Sequence, residues 1–276
     1  MTHPTRKRFI SLLGVLAFAF ASTASAAQQK LVLTGASTVA PLAAELAKRF
    51  ESQHPGIQVD VQAGGSARGV NDARQGLADI GMVSRELNPD EHDLTAWRIA
   101  LDGVSIILHK SNPVQTLSRE QVIAIYTGQI RNWKDVGGPD LPITIVNKAE
   151  GRSTLELFLH FYKLQNSQIK AHVVVGDNEQ GIKTVSANRG AIGYVSIGTA
   201  EFEASQGVPI KLMANQGVVA SVENVKNGTY PLMRTLNLVT KGVPTPLEKQ
   251  FIDFSQSSGV QDLVKEQFFV SANTSH

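Results

Sequence analysis

Three short segments of the chain put glycine, serine and threonine where a strand gives way to a helix. They are Thr34-Gly35-Ala36-Ser37-Thr38 ahead of Pro41, Ala63-Gly64-Gly65-Ser66, and Glu150-Gly151-Arg152-Ser153-Thr154. Each such turn is a ready anion site, because unpaired backbone N–H groups point out of the helix start, the helix dipole favours negative charge, and hydroxyls add donors. A serine or threonine at that place is equally a plain helix cap, so one turn alone decides nothing. In an open α/β sheet, however, all such turns lie at the carboxyl ends of strands, where ligands bind. A fourth polar exit, Ser84-Arg85-Glu86, follows the apolar run Ile80–Val83, and Arg85, Lys148 and Arg152 stand at these ends as the candidate positive charges. The bland reading of each cation is a solvated or ion-paired surface residue.

Other chemistries find less to work with. Beyond residue 26 the histidines His54, His92, His109, His160, His172 and His276 are scattered, there is no His-Glu-x-x-His pair and no cysteine, so no metal site is expected. Gly65-Ser66-Ala67-Arg68-Gly69 has arginine where a serine-hydrolase elbow needs glycine. Neither a Walker A motif nor Gly-x-Gly-x-x-Gly occurs, which removes the usual nucleotide cradles. No cofactor and no catalytic residue is expected.

The elements that must carry the turns alternate in the manner of α/β layers. Leu31–Leu33 reads as a strand and is followed by a helix from about Pro41, with Leu42, Leu46 and Phe50 near the helical period. Ile57-Val59-Val61 alternates as a second strand, a helix is predicted from about Gly69 to Gly76, and Asp79–Val83 is a third strand. Val104–Leu108 is a strong apolar strand. Beyond it the pattern restarts with a helix near 118–126, the strand Ile143–Val146, and an amphipathic helix bearing Leu155, Phe158, Leu159 and Tyr162. Val173–Val175, Ala191–Val195, Ile210–Leu212 and Leu236–Val239 read as further strands, and a helix after Pro246 closes the chain.

Composition bounds the partners. The chain has 276 residues, 42% of them hydrophobic, with Lys+Arg 26 against Asp+Glu 24. It opens with Arg6, Lys7 and Arg8, an apolar stretch Phe9–Phe20 and the small-residue exit Ala24-Ser25-Ala26, the layout of a cleavable export signal. About a dozen apolar residues fall short of the roughly 20 that span a bilayer. Thr5-Arg6-Lys7-Arg8-Phe9-Ile10 also weakly resembles a twin-arginine signal. Cleavage after Ala26 removes three basic residues and no acidic one, taking the formal charge from +2 to −1, so nucleic acid and anionic membrane are not expected partners. With no cysteine there is no lipid anchor. A soluble periplasmic monomer is the reading.

Together, Thr34–Pro41, Gly64–Gly69, Asp79–Arg85 and Glu150–Thr154 resemble the phosphate-binding proteins of bacterial ABC phosphate importers, and the likeness extends over nearly all of residues 27–276. The resemblance implies a type II periplasmic-binding fold: an α/β protein of two lobes, with mixed sheets flanked by helices, closing on an anion in the cleft. Lobe one is expected at 27–107 and 237–276 and lobe two at 108–236, after a signal peptide at 1–26, with crossings near 106–111 and 232–238. By position, Ser37 and Ser66 donate hydroxyls, Thr38 donates a backbone N–H, Ser84 and Arg85 close the third strand, and Ser153 with Thr154 offers a helix start from the opposite lobe. The implied partners are inorganic phosphate and an ABC permease. A different oxyanion, or an adhesion or signalling role on the same fold, is the alternative.

Two positions depart from the family pattern. Lys148 stands where an arginine usually pairs with the anion, and Arg152, where serine is common, takes over the forked contact that lysine cannot make. Arg85 stands where the best-known members have an aspartate that accepts the phosphate proton and thereby excludes sulfate; Asp79 and Glu150 are the substitutes at hand, Asp79 being the more structural. The N-terminal reading is checked by intact mass of the exported protein. A chain starting at Ala27 is expected, and one that retains Phe9–Phe20 would overturn it.

Overall fold

The computed structural model describes residue 1 and residues 28–272, so the signal peptide expected at 1–26 lies outside the described residues apart from Met1. The first half-sheet is built from β1 (Gln29–Gly35), α1 (Ala40–Gln53), β2 (Ile57–Ala63), α2 (Ser66–Gln75) and β3 (Ile80–Val83). β1 runs parallel to both β2 and β3, so the turns leaving all three strands emerge on one edge. Helix α1 starts with Pro41 in its first turn, where a missing N–H costs nothing. Its buried stripe of Leu42, Ala43, Leu46, Ala47 and Phe50 follows the helical period, as the sequence pattern implied.

The strand expected at 104–108 is the far end of a much longer one, β4 (Leu94–His109). Its length escapes a pattern reading because Asp102 and Gly103 interrupt the apolar run yet are buried. The second lobe adds α3 (Arg119–Tyr126), β5 (Thr144–Lys148), α4 (Ser153–Tyr162), β6 (Val173–Val175), α5 (Asn178–Ala187), β7 (Ala191–Ser196), α6 (Ile197–Ser205), β8 (Ile210–Leu212) and α7 (Val222–Lys226). The chain then returns through β9 (Met233–Lys241), α8 (Pro246–Ser255), α9 (Gln261–Glu266) and β10 (Val270–Ser271). The sheet order is β2-β1-β3-β9-β4-β7-β5-β6, with β8 and β10 on β4. The result is the mixed α/β, two-lobed architecture expected.

β4 belongs to both halves. From Leu94 to Gly103 it pairs antiparallel with β9, and from Val104 to Leu108 with β7. The ladder therefore changes partner at Gly103/Val104, a few residues ahead of the crossing expected near 106–111, and β9 enters it at Met233, within the stretch 232–238. Each half has its own core. Leu33, Leu46, Phe50, Leu236 and Phe251 pack in the first, where Phe251 meets Phe50 edge-on at 5.2 Å. Tyr126, Trp133, Phe158 and Tyr194 dominate the second, with Phe158 stacked on Tyr194 at 4.0 Å.

Helix α2 lies unusually close to the strands beneath it. A Cβ on Gly69 would sit 2.7 Å from the Met82 carbonyl oxygen and 2.8 Å from that of Thr34, so only hydrogen fits there. That contact lets the Ser66 hydroxyl reach the end of β3, where it accepts the Ser84 N–H at 3.2 Å. Gly69→Ala gains helix propensity but overpacks two backbones that cannot give. A net loss of about 1–3 kcal/mol is expected, read as a lower midpoint in urea or thermal unfolding; an unchanged midpoint would refute the close approach.

Candidate anion-binding site

Ser37, Thr38, Ser66, Ser84, Arg152, Ser153 and Thr154 line one cavity together with Ala36 and Gly65. The room left there for the centre of a water-sized sphere is only about 10 Å³, enough for about one water and far below the roughly 300–1,000 Å³ of sites for drug-sized ligands. Seven of the nine residues singled out in the sequence thus come together, from both lobes.

The helix ends explain what the cavity is for. α3, α5, α6, α7 and α8 each begin with a Ser, Thr or Asp side chain accepting a first-turn N–H. α1, α2 and α4 begin with Val39, Gly65 and Arg152 and have no side-chain cap. These three uncapped helices are the ones whose starts meet at the cavity, and the serines and threonines beside them are not caps. The fourth uncapped helix, α9, continues directly from the 3₁₀ turn Ser258–Val260. The positive dipole ends of helices from both lobes are thereby aimed at one point, although at α1 the Val39 and Ala40 N–H groups are already taken by the Ala36 carbonyl. Gly65, at φ 101°, turns the chain just before α2 against Gly151 of the opposite lobe, and the Ala67 N–H donates to the Gly151 carbonyl at 3.2 Å.

Two buried polar atoms at the cavity have no protein partner: Arg152 Nε and Ser153 Oγ. Buried polar groups are normally satisfied, so these two are left for a ligand's atoms. Among the described residues no carboxylate lines this cavity and no group of three His, Asp or Glu side chains gathers as a metal site.

Arg85 and Lys148, expected at the anion, do not line the cavity. The Arg85 guanidinium is taken up by Glu91, whose two oxygens it meets at 2.7 and 2.8 Å, and by Glu156 Oε2 at 2.6 Å across the cleft. Glu91 is folded back beside it by the turn Pro89–Glu91, an arrangement with no signature near Ser84-Arg85. Lys148 is buried, its ammonium donating to the Asp177 carbonyl and lying 3.4 Å from Asn178 Oδ1. Asp79 accepts the Val32 N–H at 2.7 Å and Glu150 accepts from Asn166 at 3.0 Å, so neither substitutes for the family's aspartate.

The residues that sequence reasoning missed are Arg234, Asp102 and Asn178. Arg234 on β9 and Asp102 on β4 face each other in the ladder and form a fully buried ion pair, Nη2 to Oδ2 at 2.7 Å. The rest of the guanidinium donates to Thr154 Oγ1 at 2.9 Å and Thr38 Oγ1 at 3.3 Å, one in each lobe. Asn178 Nδ2 donates to the same Thr38 oxygen at 3.1 Å. None sits in a glycine-rich turn; the only hint was a charged residue beside the apolar runs of two strands, Asp102 after Ile99–Leu101 and Arg234 after Met233.

This chain belongs to a family of ligand-binding domains: residues 21–258 match the PBP superfamily domain. The phosphate-binding protein PstS of Bacillus subtilis is 29% identical over 250 residues, spanning 88% of this chain and 81% of that one. PstS of Borreliella burgdorferi is 28% identical over 257 residues, 89% and 91% of the two chains. Among solved structures, a phosphate ABC transporter substrate-binding protein with bound phosphate from Clostridium perfringens superposes with a TM-score of 0.81 at 31% identity, over 89% of this chain and all of that one. An ABC-type phosphate transport receptor from Vibrio cholerae gives 0.69 at 30% identity, over 88% and 99%.

Burial brings the Lys148 ammonium down to about 7, against the opposing pull of Asp177 and with the help of the Arg234 and Arg152 charges. The unfolded chain therefore holds this proton more tightly than the folded one, and raising the pH from 7 toward 10 favours the folded state. Thermal melts of ligand-stripped protein should show stability rising through that window, and Lys148→Met should flatten the rise. An identical slope in the variant would contradict the buried, depressed ammonium.

Proposed function

We propose that this protein is a periplasmic solute-binding protein that captures inorganic phosphate between its two lobes and hands it to an ABC import permease. The observation that carries the reading is the convergence of three uncapped helix starts, with the buried Arg152 Nε and Ser153 Oγ, on a cavity lined by hydroxyls. The names of the relatives support phosphate as the anion and a permease as the partner.

Capture needs no covalent chemistry. Lobe closure exchanges the anion's water shell for N–H, O–H and guanidinium donors that the fold has already oriented, so little ordering entropy is lost on binding. The lobes divide where the β4 ladder changes partner, near Gly103, and where β9 begins, near Met233. Arg152 takes the anion's charge directly, whereas Lys148 acts behind it through Asn178. Export by the N-terminal signal places the protein outside the cytoplasm as a monomer without an anchor; among the described residues no helix is long and apolar enough to cross a membrane.

A micromolar dissociation constant corresponds to about −8 kcal/mol. Truncating one partner of a buried charged contact costs roughly 2–5 kcal/mol, so Arg152→Ala should weaken phosphate at least about thirtyfold. Calorimetric titration of protein freed of ligand by unfolding and refolding checks both statements. Undetectable phosphate binding would refute the function, and an unchanged affinity in Arg152→Ala would refute the site. Loss of phosphate uptake on deletion of the gene distinguishes delivery to a permease from an adhesion or signalling role.

A further inference from the structure

The hydrogen bonds around the cavity fix which way its hydroxyls point. Asn178 Oδ1 lies 3.4 Å from the Lys148 Nζ and 3.4 Å from the Ser196 N–H, and the backbone N–H can only donate. That settles the amide's orientation: the oxygen accepts, and the nitrogen faces Thr38. A hydroxyl oxygen has two lone pairs. On Thr38 one is taken by Asn178 Nδ2 and the other by Arg234 Nη2. The Thr38 hydroxyl has no acceptor capacity left and can only donate. Thr154 accepts from Arg234 Nη1 and Ser66 accepts from the Ser84 N–H, which biases both the same way.

No side chain in the remaining lining only accepts. Ser37 has no side-chain partner among the described residues, Ser153 Oγ has none although buried, and each can rotate to donate or accept. Arg152 only donates. The nearest buried carboxylate, Asp102, is spent on Arg234 and on the Gly198 N–H at 3.2 Å. Monohydrogen phosphate and sulfate carry the same charge and shape and differ by one proton. Phosphate can give that proton to a rotated serine; for sulfate the same serine turns and donates, so neither anion leaves a buried group unpaired.

We propose that Asn178, with Arg234, is the specificity-setting residue of this site: by locking Thr38 as a donor it makes the cavity read tetrahedral shape and charge and ignore the ligand's proton, so that sulfate binds alongside phosphate. The proposal rests on the phosphate-binding reading above. Large discrimination between near-identical ligands, about 10⁴-fold or more, arises where a polar group is built to pair with one and is stranded by the other. No such group stands in this cavity.

Titration of the refolded mature chain with inorganic phosphate and with sulfate at about pH 8, where phosphate is mainly the dianion, tests it. Dissociation constants within about tenfold of each other are expected, the scale of discrimination left when no polar group is stranded. In Asn178→Asp the new carboxylate, already beside the Lys148 ammonium, draws the Thr38 proton toward itself. Thr38 then presents an acceptor, and sulfate should weaken by about tenfold more than phosphate, as one unpaired acceptor against a full anion demands. Thr38→Val, which needs no buried charge to fold, should weaken both anions by the same factor. Phosphate binding with sulfate about a thousandfold weaker, or a Thr38→Val loss confined to phosphate, would overturn the proposal and leave the phosphate function standing. Sulfate binding alone would overturn the phosphate function while supporting the donor assignment, and binding of neither anion would overturn both.

Discussion

The Asp102–Arg234 ion pair is the interaction on which the rest of the structure depends. It lies on facing residues of β4 and β9, next to the point where the ladder passes from one lobe to the other, and it is out of contact with water. An unpaired guanidinium at that depth would be prohibitively unfavourable, whereas a paired one can be spent on something else. Its two partners beyond Asp102 are the hydroxyls of Thr38 and Thr154, one from each lobe. One buried charge thus sits at the joint and touches the functional end of both lobes. Removing Asp102 would leave Arg234 free to reorient, and the hydroxyl array would lose its reference point.

Around that joint the fold arranges its helix starts unequally. Away from the cavity wall, α3, α5, α6, α7 and α8 each have a serine, threonine or aspartate closing the first turn. At the cavity wall, the capping position is occupied by valine, glycine or arginine and the hydroxyls are displaced into the cavity. Capping is worth about 1 kcal/mol per helix, so the three bare starts represent stability set aside for ligand contact. They are held in place by close backbone packing, Gly69 against β1 and β3 above all, rather than by their own end groups.

Much of this was legible from local pattern. The α/β order, the helix carrying Phe50 and the three polar turns follow from periodicity and turn chemistry, which act within a few residues. The pairing of Ser37 and Ser66 with Ser153 across the cleft followed only with the resemblance added. What stayed hidden depends on long-range partners. Arg234 and Asp102 are 132 positions apart in the chain, and nothing near either one marks it as half of an ion pair. Arg85 misled for the opposite reason: it sits at the end of a strand, as a ligand-binding arginine should, but Glu91 six residues on and Glu156 from α4 claim it. Lys148 had the right strand end and the wrong direction, since its side chain runs back under α5 to the Asp177 carbonyl.

The Arg85 triad also bears on how long a captive anion stays. Glu91 shares a lobe with Arg85, and Glu156 does not. When the lobes part, only the bond to Glu156 is broken, and the guanidinium keeps both oxygens of Glu91. Glu156, more than a third exposed, returns to water. No charge would be stranded at this triad by such a parting, and the ties across the cleft from Ala67 to Gly151 and from Asn178 to Thr38 are neutral hydrogen bonds. The bonds to the cargo at Arg152 and the hydroxyls can therefore change without disturbing the Arg85 triad, which leaves the escape rate of a bound anion free to be tuned there.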